Sequence, residues 1–287
     1  TKLFGATFQS PSMRISGNRV RISFAGSGTT DGGMEYGFSA RADQSNTSNG
    51  GSQYISGVFG KISTGDLDGA DEQMVGDVAG VGFTGAGSNQ EYAYQSSSHN
   101  LAYSISMSGV SFAASTDLVR GADSTKTGSN SAMGIKWAGD IGGTSVGIAL
   151  GQSKIGTATD QSASISISTG GLTIKAQTHT DDNGDAVALG AGEVTQTFTG
   201  DYQKQYVAGA AAAANLDTDT TSLSVSYAMD GMSVSAFTRT EETSGKADKD
   251  YSGVGFAYSL GSGATLKAGF VDADNISIMD FGVNFSF

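Results

Sequence analysis

The chain contains no cysteine, a single proline and no long run of apolar residues. Without cysteine, no disulfide framework holds the fold together. A transmembrane helix needs about 18 consecutive apolar residues, so their absence excludes helices that cross a bilayer. A barrel remains open, because its strands place apolar residues only at every second position and average to weakly polar values. The first ten residues do not show a basic segment followed by an apolar core, so we expect no signal peptide here, and if the protein is exported this would be its mature form.

Glycine and acidic residues are abundant instead. The chain has 43 glycines among 287 residues, and its hydrophobic content of 38% is low for a compact globular domain of this length. Aromatic residues reach 9% and long charged blocks are absent, which argues against disorder. The net charge of −12 argues against a nucleic-acid partner, whose phosphates would be repelled.

The C-terminal segment shows the pattern on which the whole chain is built. Its bulky apolar residues fall on every second position: Met279, Phe281, Val283, Phe285 and Phe287. Small or polar residues occupy the positions between them. Because a strand points successive side chains to opposite faces, this segment is predicted to be a strand with one apolar and one wet face.

The same alternation recurs along most of the chain and predicts an all-β protein of about sixteen strands. These lie near residues 4–8, 20–24, 34–40, 53–59, 61–66, 101–107, 110–114, 133–137, 146–150, 163–167, 172–176, 223–229, 232–236, 254–260, 266–270 and 277–287. Tight turns are expected at Ser108-Gly109, Asp140–Gly143, Gly170-Gly171 and Asp230-Gly231. Two long loops, about 67–98 and 181–219, interrupt the rhythm of what we interpret as one domain, residues 1–287.

These strands suit a transmembrane barrel that holds water. Each strand and its connection have about 18 residues, enough for a spanning strand of about 9–11 residues. In lipid, only a closed sheet satisfies its backbone hydrogen bonds. The second face carries mostly serine, glycine, alanine, lysine and arginine, which cannot form an apolar core, and sixteen strands leave an aqueous channel. A soluble glycine-rich β-solenoid or adhesin would show a fixed repeat, which the sequence lacks.

The strand parity also makes predictions about the outer surface. We expect six aromatic side chains to face lipid or a neighbouring subunit: Phe24, Tyr36, Trp137, Tyr227, Phe256 and Phe281. The sector from Gln53 to Asp66 has short strands. In it, the small residues Ser56 and Gly57 occupy positions at which the other strands carry bulky lipid-facing side chains. Since small residues permit close packing in membranes, we expect this sector, with the first and last strands, to contact other subunits.

Charged residues suggest a constriction inside the barrel. Three arginines, Arg19, Arg21 and Arg41, lie on the wet face of the second and third strands. Five carboxylates are concentrated at the start of the first long loop: Asp66, Asp68, Asp71, Glu72 and Asp77. Cations inside a barrel are costly unless water or carboxylates compensate them. A solvated acidic loop is the simpler interpretation, but a loop folded inward would place these acids opposite the arginines.

Three segments resemble the general diffusion porins of alphaproteobacteria. They are Ser27–Gly37 (SGTTDGGMEYG), Ser56–Asp66 (SGVFGKISTGD) continuing into LDGADEQMVGD, and the last strand that ends in phenylalanine. The resemblance implies a 16-stranded antiparallel transmembrane β-barrel with an inward-folded third loop. It also implies an outer-membrane homotrimer, with the three arginines at the basic wall of the constriction and the acids on the loop. The first strand is several residues shorter than in that family.

The function expected from the residues and the resemblance is passive diffusion of small hydrophilic solutes and ions. Outer-membrane lipid and lipopolysaccharide are the expected surroundings.

No cofactor is expected, although calcium on the acidic loops is an alternative, and two isolated histidines suggest neither zinc nor a catalytic triad. A solute-specific channel, for example for sugars, is the second interpretation. It should show a ladder of inward aromatics, for which Phe237 is the single clear candidate. An enzyme is less favoured, because no paired acid and base stand out.

Overall fold

The computed structural model describes residues 2–9, 13–43, 50–83, 89–92, 94, 99–118, 130–156, 158–182 and 216–286, with the backbone alone for 2–21 and 43. These residues form sixteen strands and one helix, α1 (Ala70–Val75). The strands are β1 (Lys2–Gln9), β2 (Met13–Thr29), β3 (Glu35–Asp43), β4 (Gly51–Gly57), β5 (Gly60–Leu67), β6 (His99–Met107), β7 (Val110–Thr116), β8 (Asn130–Ile141), β9 (Thr144–Ile155), β10 (Ala158–Thr169), β11 (Leu172–Asp182), β12 (Thr218–Met229), β13 (Met232–Thr243), β14 (Lys249–Gly261), β15 (Ala264–Ala273) and β16 (Ile276–Phe285). Phe287 and most of the second long loop lie outside the described residues.

Each strand pairs antiparallel with its neighbours in sequence, and the sheet closes on itself. The eight-residue β1 completes the barrel by pairing with both β2 and β16. Its pairing with β16 runs without interruption from Lys2 opposite Phe285 to Gln9 opposite Ile278. The short first strand therefore covers both exposed edges, as a sheet in lipid requires. This closure confirms the predicted sixteen-stranded barrel.

Two-residue turns join many strands at one end of the barrel. At Asp230-Gly231 both residues have positive φ, 48° and 78°, which is the backbone of a type I′ hairpin turn. The same pairing of positive φ occurs in the other turns predicted at Ser108-Gly109, Gly142-Gly143 and Gly170-Gly171. Because this turn matches the twist of antiparallel strands, it fixes the register of each hairpin from local sequence.

The outer surface of the barrel carries the apolar positions of the strands. On β8, Met133, Ile135 and Trp137 are exposed, whereas Ala132 and Gly134, which have the opposite parity, are buried on the inside. All six predicted aromatics lie on exposed outward positions: Phe24, Tyr36, Trp137, Tyr227, Phe256 and Phe281. The prediction from alternation is confirmed for these residues.

The prediction for Ser56 is wrong. Ser56 pairs with Lys61, Lys61 with Ser104, and Ser104 with Ala113. Ala113 is wholly buried under α1, so this row of positions faces the inside of the barrel. Gly57, one residue on, has the outward parity.

The connection between β5 and β6, residues 68–98, is here called the inward loop, because the part of it that the structure describes is folded into the barrel. It begins after Leu67 and contains α1, which lies against the inner faces of β7 to β10. It is the third connection at its end of the barrel, as predicted. Its described residues are 68–83, 89–92 and 94. In the described part of the chain, α1 has six residues, and no helix there is long and apolar enough to cross a bilayer.

Candidate functional site

The start of α1 is bound to the inner wall. The backbone N–H of Ala70 donates a 2.7 Å hydrogen bond to Ser115 Oγ on β7. On β9, a Cβ placed on Gly151 would stand 2.8 Å from Cβ of Asp71, closer than real Cβ atoms approach. Glycine at this position of β9 therefore allows the helix to lie directly on the wall.

The C-terminal end of α1 is bound by a lysine of the wall. Lys175 Nζ on β11 donates to the carbonyl oxygens of Val75 at 2.5 Å and of Asp77 at 2.9 Å. Ser164 Oγ on β10 also donates to Val75, at 3.2 Å. The last carbonyls of a helix lack partners within the helix, and a cation there also complements the helix dipole. Lys175 thus satisfies both requirements.

Beyond α1, the inward loop is held through its backbone. The N–H of Ala79 donates to Ser224 Oγ on β12, and Ser235 Oγ on β13 donates to the carbonyl of Gly80, both at 3.0 Å. These bonds involve loop atoms that every residue type except proline provides. Their specificity therefore lies in the small polar residues of the wall.

The far end of this segment reaches β15 and β16. The N–H of Phe83 donates a 2.9 Å bond to Oδ1 of Asp280, which is fully buried on β16. On β15, a Cβ on Gly269 would lie 2.4 Å from Cα of Gly82. The backbone of the loop therefore contacts the backbone of the wall directly, and any larger residue at 269 would displace it.

An apolar cluster seals the loop against the wall. Val78 and Val81 of the loop pack with Phe237, Val271 and Ala273. Phe237 is only 5% exposed, so its ring lies under the loop and not in the open channel. The one inward aromatic considered for a sugar ladder therefore serves to hold the loop.

The loop then turns back along the same wall in a part that we call the return segment, residues 89–92 and 94. Arg239 on β13 donates from Nη1 to the carbonyls of Asn89 at 3.1 Å and Glu91 at 2.8 Å. From Nη2 it donates to Oε2 of Glu241 at 2.7 Å. Its guanidinium carbon lies 4.6 Å from the ring centroid of Tyr251. A single side chain thus joins the return segment to two neighbouring strands.

Tyr92 provides the second attachment of the return segment. Its ring stacks on the buried ring of His179 at 3.6 Å between centroids, and its hydroxyl donates to Asp181 at 2.5 Å. Its N–H donates to Oδ1 of Asp77 at 3.0 Å. Burial, together with the nearby carboxylate of Asp160, raises the pKa of the Tyr92 phenol far above its usual range, so this hydroxyl remains a donor.

The described contacts of the inward loop with the wall lie on β7 to β16. In a closed barrel of sixteen strands, β2 to β5 form the wall across the channel from them. On this wall, Glu35, Arg41, Tyr54 and Lys61 have the inward parity set by the row that leads to Ala113. These four positions therefore lie across the interior of the barrel from the loop.

The predicted arginines share one face of β2 and β3. Arg41 pairs directly with Ser23, so its position has the same parity as those of Arg19 and Arg21 on β2. Arg21 pairs directly with Asp43 on the neighbouring strand. The side chains of Arg19 and Arg21 lie outside the described atoms, so their reach into the constriction stays a prediction.

Two of the five predicted acids are placed differently than expected. Asp66 belongs to β5 and not to the loop, and its carboxylate lies beside Gly50. Asp71 is completely buried where α1 meets β9, so the prediction that it lines the channel is wrong. A helix turns by about 100° per residue, so of the neighbours Asp71 and Glu72 one faces the wall and the other faces away from it.

The other three acids surround the exposed side of the loop. Asp68 is exposed, Glu72 is partly exposed on α1, and Asp77 accepts the bond from the return segment. Burial raises the pKa of Glu72 to about 7, and the negative charges of Asp68, Asp77, Asp71 and Glu91 act in the same direction. Glu72 therefore changes its charge near neutral pH.

Four residues of the wall and the loop were not predicted from the sequence: Lys61, Lys175, Arg239 and Glu91. Lys61 on β5 alternates with Ile62, which could have indicated its inward position, and its Nζ lies 4.4 Å above the Tyr54 ring. Lys175 and Arg239 have the wet parity of their strands, but nothing local shows that they bind loop carbonyls. Glu91 lies in a segment without periodicity and carries no signal of its own.

A metal centre has no support among the residues described. No group of three or more histidine, aspartate or glutamate side chains in those ranges could hold a metal ion. His99 instead shares a 2.5 Å hydrogen bond with Ser115, and His179 stacks on Tyr92. Both histidines are thus part of the packing between wall and loop.

Comparison with known proteins gives consistent matches over nearly the whole chain. Residues 5–276 match a family described as Gram-negative porin. A porin of Rhodobacter capsulatus is 29% identical, over 94% of this chain and 93% of the relative. A porin structure refined at 1.8 Å resolution is similar with a TM-score of 0.78 at 25% identity, covering 100% of this chain and 98% of that one. A variant of the Rh. blastica porin shares the fold, with a TM-score of 0.71 at 18% identity and the same coverage.

Proposed function

The chain belongs to the Gram-negative porin family, and on this premise we propose that its pore is narrowed between the inward loop and the arginine positions of β2 and β3. As a porin, the protein is a channel of the bacterial outer membrane. Solutes would be selected at this narrow part of the pore, by the charges that line it.

The observation that carries the proposal is the one-sided attachment of the loop. Its hydrogen bonds begin at Ser115 on β7 and end at Asp280 on β16, and its acids Asp68, Glu72 and Glu91 are exposed or partly exposed. The opposite wall offers Arg41 and Lys61. Carboxylates on one side and cations on the other would create a transverse field across water. Polar solutes can align in such a field, whereas apolar solutes must displace oriented water.

The channel should favour cations weakly. The chain carries 28 acidic against 16 basic residues, which makes the potential at the pore mouths negative. Screening over about 8–10 Å near physiological salt should reduce the preference. The test is the reversal potential of the protein in a planar bilayer under a dilute KCl gradient. A potential of the sign that favours chloride would contradict the proposal.

The preferred solutes are small hydrophilic molecules without specific recognition. A sugar-specific channel would need exposed aromatic rings along the passage, and Phe237 is covered by the loop. Competition by one sugar at low concentration, with a saturable block of the ion current, would favour the solute-specific alternative.

The outer face suggests association into a homotrimer. Val58 and Phe59, in the turn between β4 and β5, are exposed beside the outward residues Ile55 and Ile62. Outward Gly57 would allow another subunit to approach closely. Lipid and lipopolysaccharide would cover the remaining surface. Light scattering corrected for detergent should give about three times the chain mass of 29.0 kDa, and a monomer would contradict this assembly.

Transport should need neither an enzymatic reaction nor a cofactor. Diffusion through a water-filled barrel requires no bond to be made, so pore width and charge suffice. Calcium bound to the acidic loops is the alternative. If conductance and trimer stability are unchanged after chelation of divalent cations, calcium has no role in either.

A further inference from the structure

We propose that Arg239 is a positioning residue that sets the width of the constriction by holding the return segment against β13. The inference deepens the proposed constriction and rests on it. Arg239 acts through the geometry of its guanidinium, since it touches backbone carbonyls of the loop rather than a passing solute. Its positive charge is not its main contribution.

The contacts of Arg239 support this role. Both carbonyls that it binds, of Asn89 and Glu91, belong to the return segment, and both accept from the same nitrogen, Nη1. Nη2 is engaged by Glu241 at 2.7 Å, and the guanidinium lies over the ring of Tyr251. The side chain is only 13% exposed. With one face and several N–H groups occupied, the guanidinium has little freedom to move.

The charge of Arg239 is largely compensated locally. Glu241 accepts from Arg239 and also from Lys249, each at 2.7 Å. Lysine at position 239 would keep the charge but not the planar fork that reaches carbonyls and carboxylate together. The substitution Arg239→Lys therefore separates the effect of geometry from the effect of charge.

The position of the return segment decides where Glu91 stands. Its carbonyl is fixed by Arg239, while its side chain is exposed to the channel. Glu91 is also one of the acids whose charge acts on Glu72 of α1. Release of the return segment would move the carboxylate of Glu91 away from α1, and it would also widen the passage. Two independent measurements therefore report the same movement.

The first measurement uses the absence of native cysteine. Glu91→Cys in the otherwise cysteine-free chain gives a single thiol, whose modification by a charged methanethiosulfonate is followed through the current of a planar bilayer. We expect Arg239→Lys to raise the modification rate about tenfold, the factor for the loss of one hydrogen bond to a charged group. Single-channel conductance should rise as well. Lys249→Gln is the control, because Lys249 pairs with Glu241 without contacting the loop.

The second measurement is the pH profile of cation preference. In Arg239→Lys the midpoint should shift to lower pH, because Glu72 loses the neighbouring charge of Glu91. A merely structural defect of the barrel would lower heat resistance in detergent without moving this midpoint. Unchanged modification rate, conductance and midpoint in Arg239→Lys would overturn the inference.

A second variant, Glu241→Gln, tests the same inference if Arg239→Lys does not fold. Glu241→Gln keeps both bonds from Arg239 to the loop but loosens the guanidinium, so smaller changes in the same directions are expected. If neither folded variant differs from the wild type, Arg239 does not set the width. A different result would contradict the constriction itself: the selectivity of the channel would be unchanged when the loop acids are neutralised in a chain that keeps Arg239.

Discussion

Lys175 Nζ lies 2.5 Å from the carbonyl oxygen of Val75, so a lysine of the barrel wall binds the C-terminal end of α1. The two residues are 100 positions apart in the chain. Their contact holds α1 against β7 to β10, across the barrel from the arginine positions of β2 and β3. The helix is thus held on this side of the barrel by hydrogen bonds from a lysine to backbone carbonyls.

Replacement of this lysine should loosen α1. In Lys175→Met, the carbonyl of Asp77 loses this donor and the carbonyl of Val75 keeps only the bond from Ser164, and each lost hydrogen bond to a charged group costs about 1.5–3 kcal/mol. Hydrogen exchange of the α1 amides, followed by mass spectrometry, should accelerate by about tenfold or more. Lys154→Met is the matched control, because Lys154 is exposed and has the outward parity of β9. Equal protection of α1 in both variants would contradict this role.

Neutralising the two walls should change selectivity in opposite directions. Replacing Arg19, Arg21 and Arg41 by glutamine should raise cation preference, because the basic wall then repels cations less. The pair Asp68→Asn and Glu72→Gln should lower it. Asp230→Asn, in a turn at the opposite end of the barrel, is a control that removes one negative charge away from the loop. Reversal potentials in a KCl gradient give the answer, and unchanged values in both sets would show that the loop does not line the pore.

Cation preference should depend on pH around neutrality. The pKa of Glu72 is raised to about 7, so its carboxyl is neutral at pH 6 and mostly ionised at pH 8. Cation preference should therefore increase as pH rises through 7, in contrast to ordinary carboxylates, which are already ionised there. In Glu72→Gln this increase should disappear. A steep pH dependence that survives the substitution would assign the titration to another group.

A side chain on β15 should displace the loop. In Gly269→Ala the new Cβ would meet Cα of Gly82 at 2.4 Å, so one backbone must move, and overpacking of this kind costs about 1–3 kcal/mol. We expect a wider and noisier channel in an intact barrel, seen in single-channel recordings. Gly32→Ala is the control, since its Cβ would have only Thr30 Oγ1 nearby, at 4.0 Å. Identical recordings for both variants would mean that the loop does not rely on this contact.

The strands, their outward faces and the tight turns could be predicted from the sequence alone. The cause is local: alternation with period two defines the faces of a strand, and pairs such as Asp230-Gly231 favour the turn that links two strands. A slip by one residue would turn Phe281 inward and Asp280 into lipid, so the pattern leaves one register. Length and turn spacing then predict the number of strands.

Only the tertiary structure decided which charges meet the channel. Asp71 and Glu72 are adjacent in an acidic run, and their separation into a buried and a partly exposed carboxylate depends on how α1 lies on Gly151. Arg239 binds carbonyls that are 148 and 150 positions away, and no local pattern records such a contact. Sequence periodicity determines the faces of each strand, whereas the path of an aperiodic loop across the barrel follows from the whole wall that binds it.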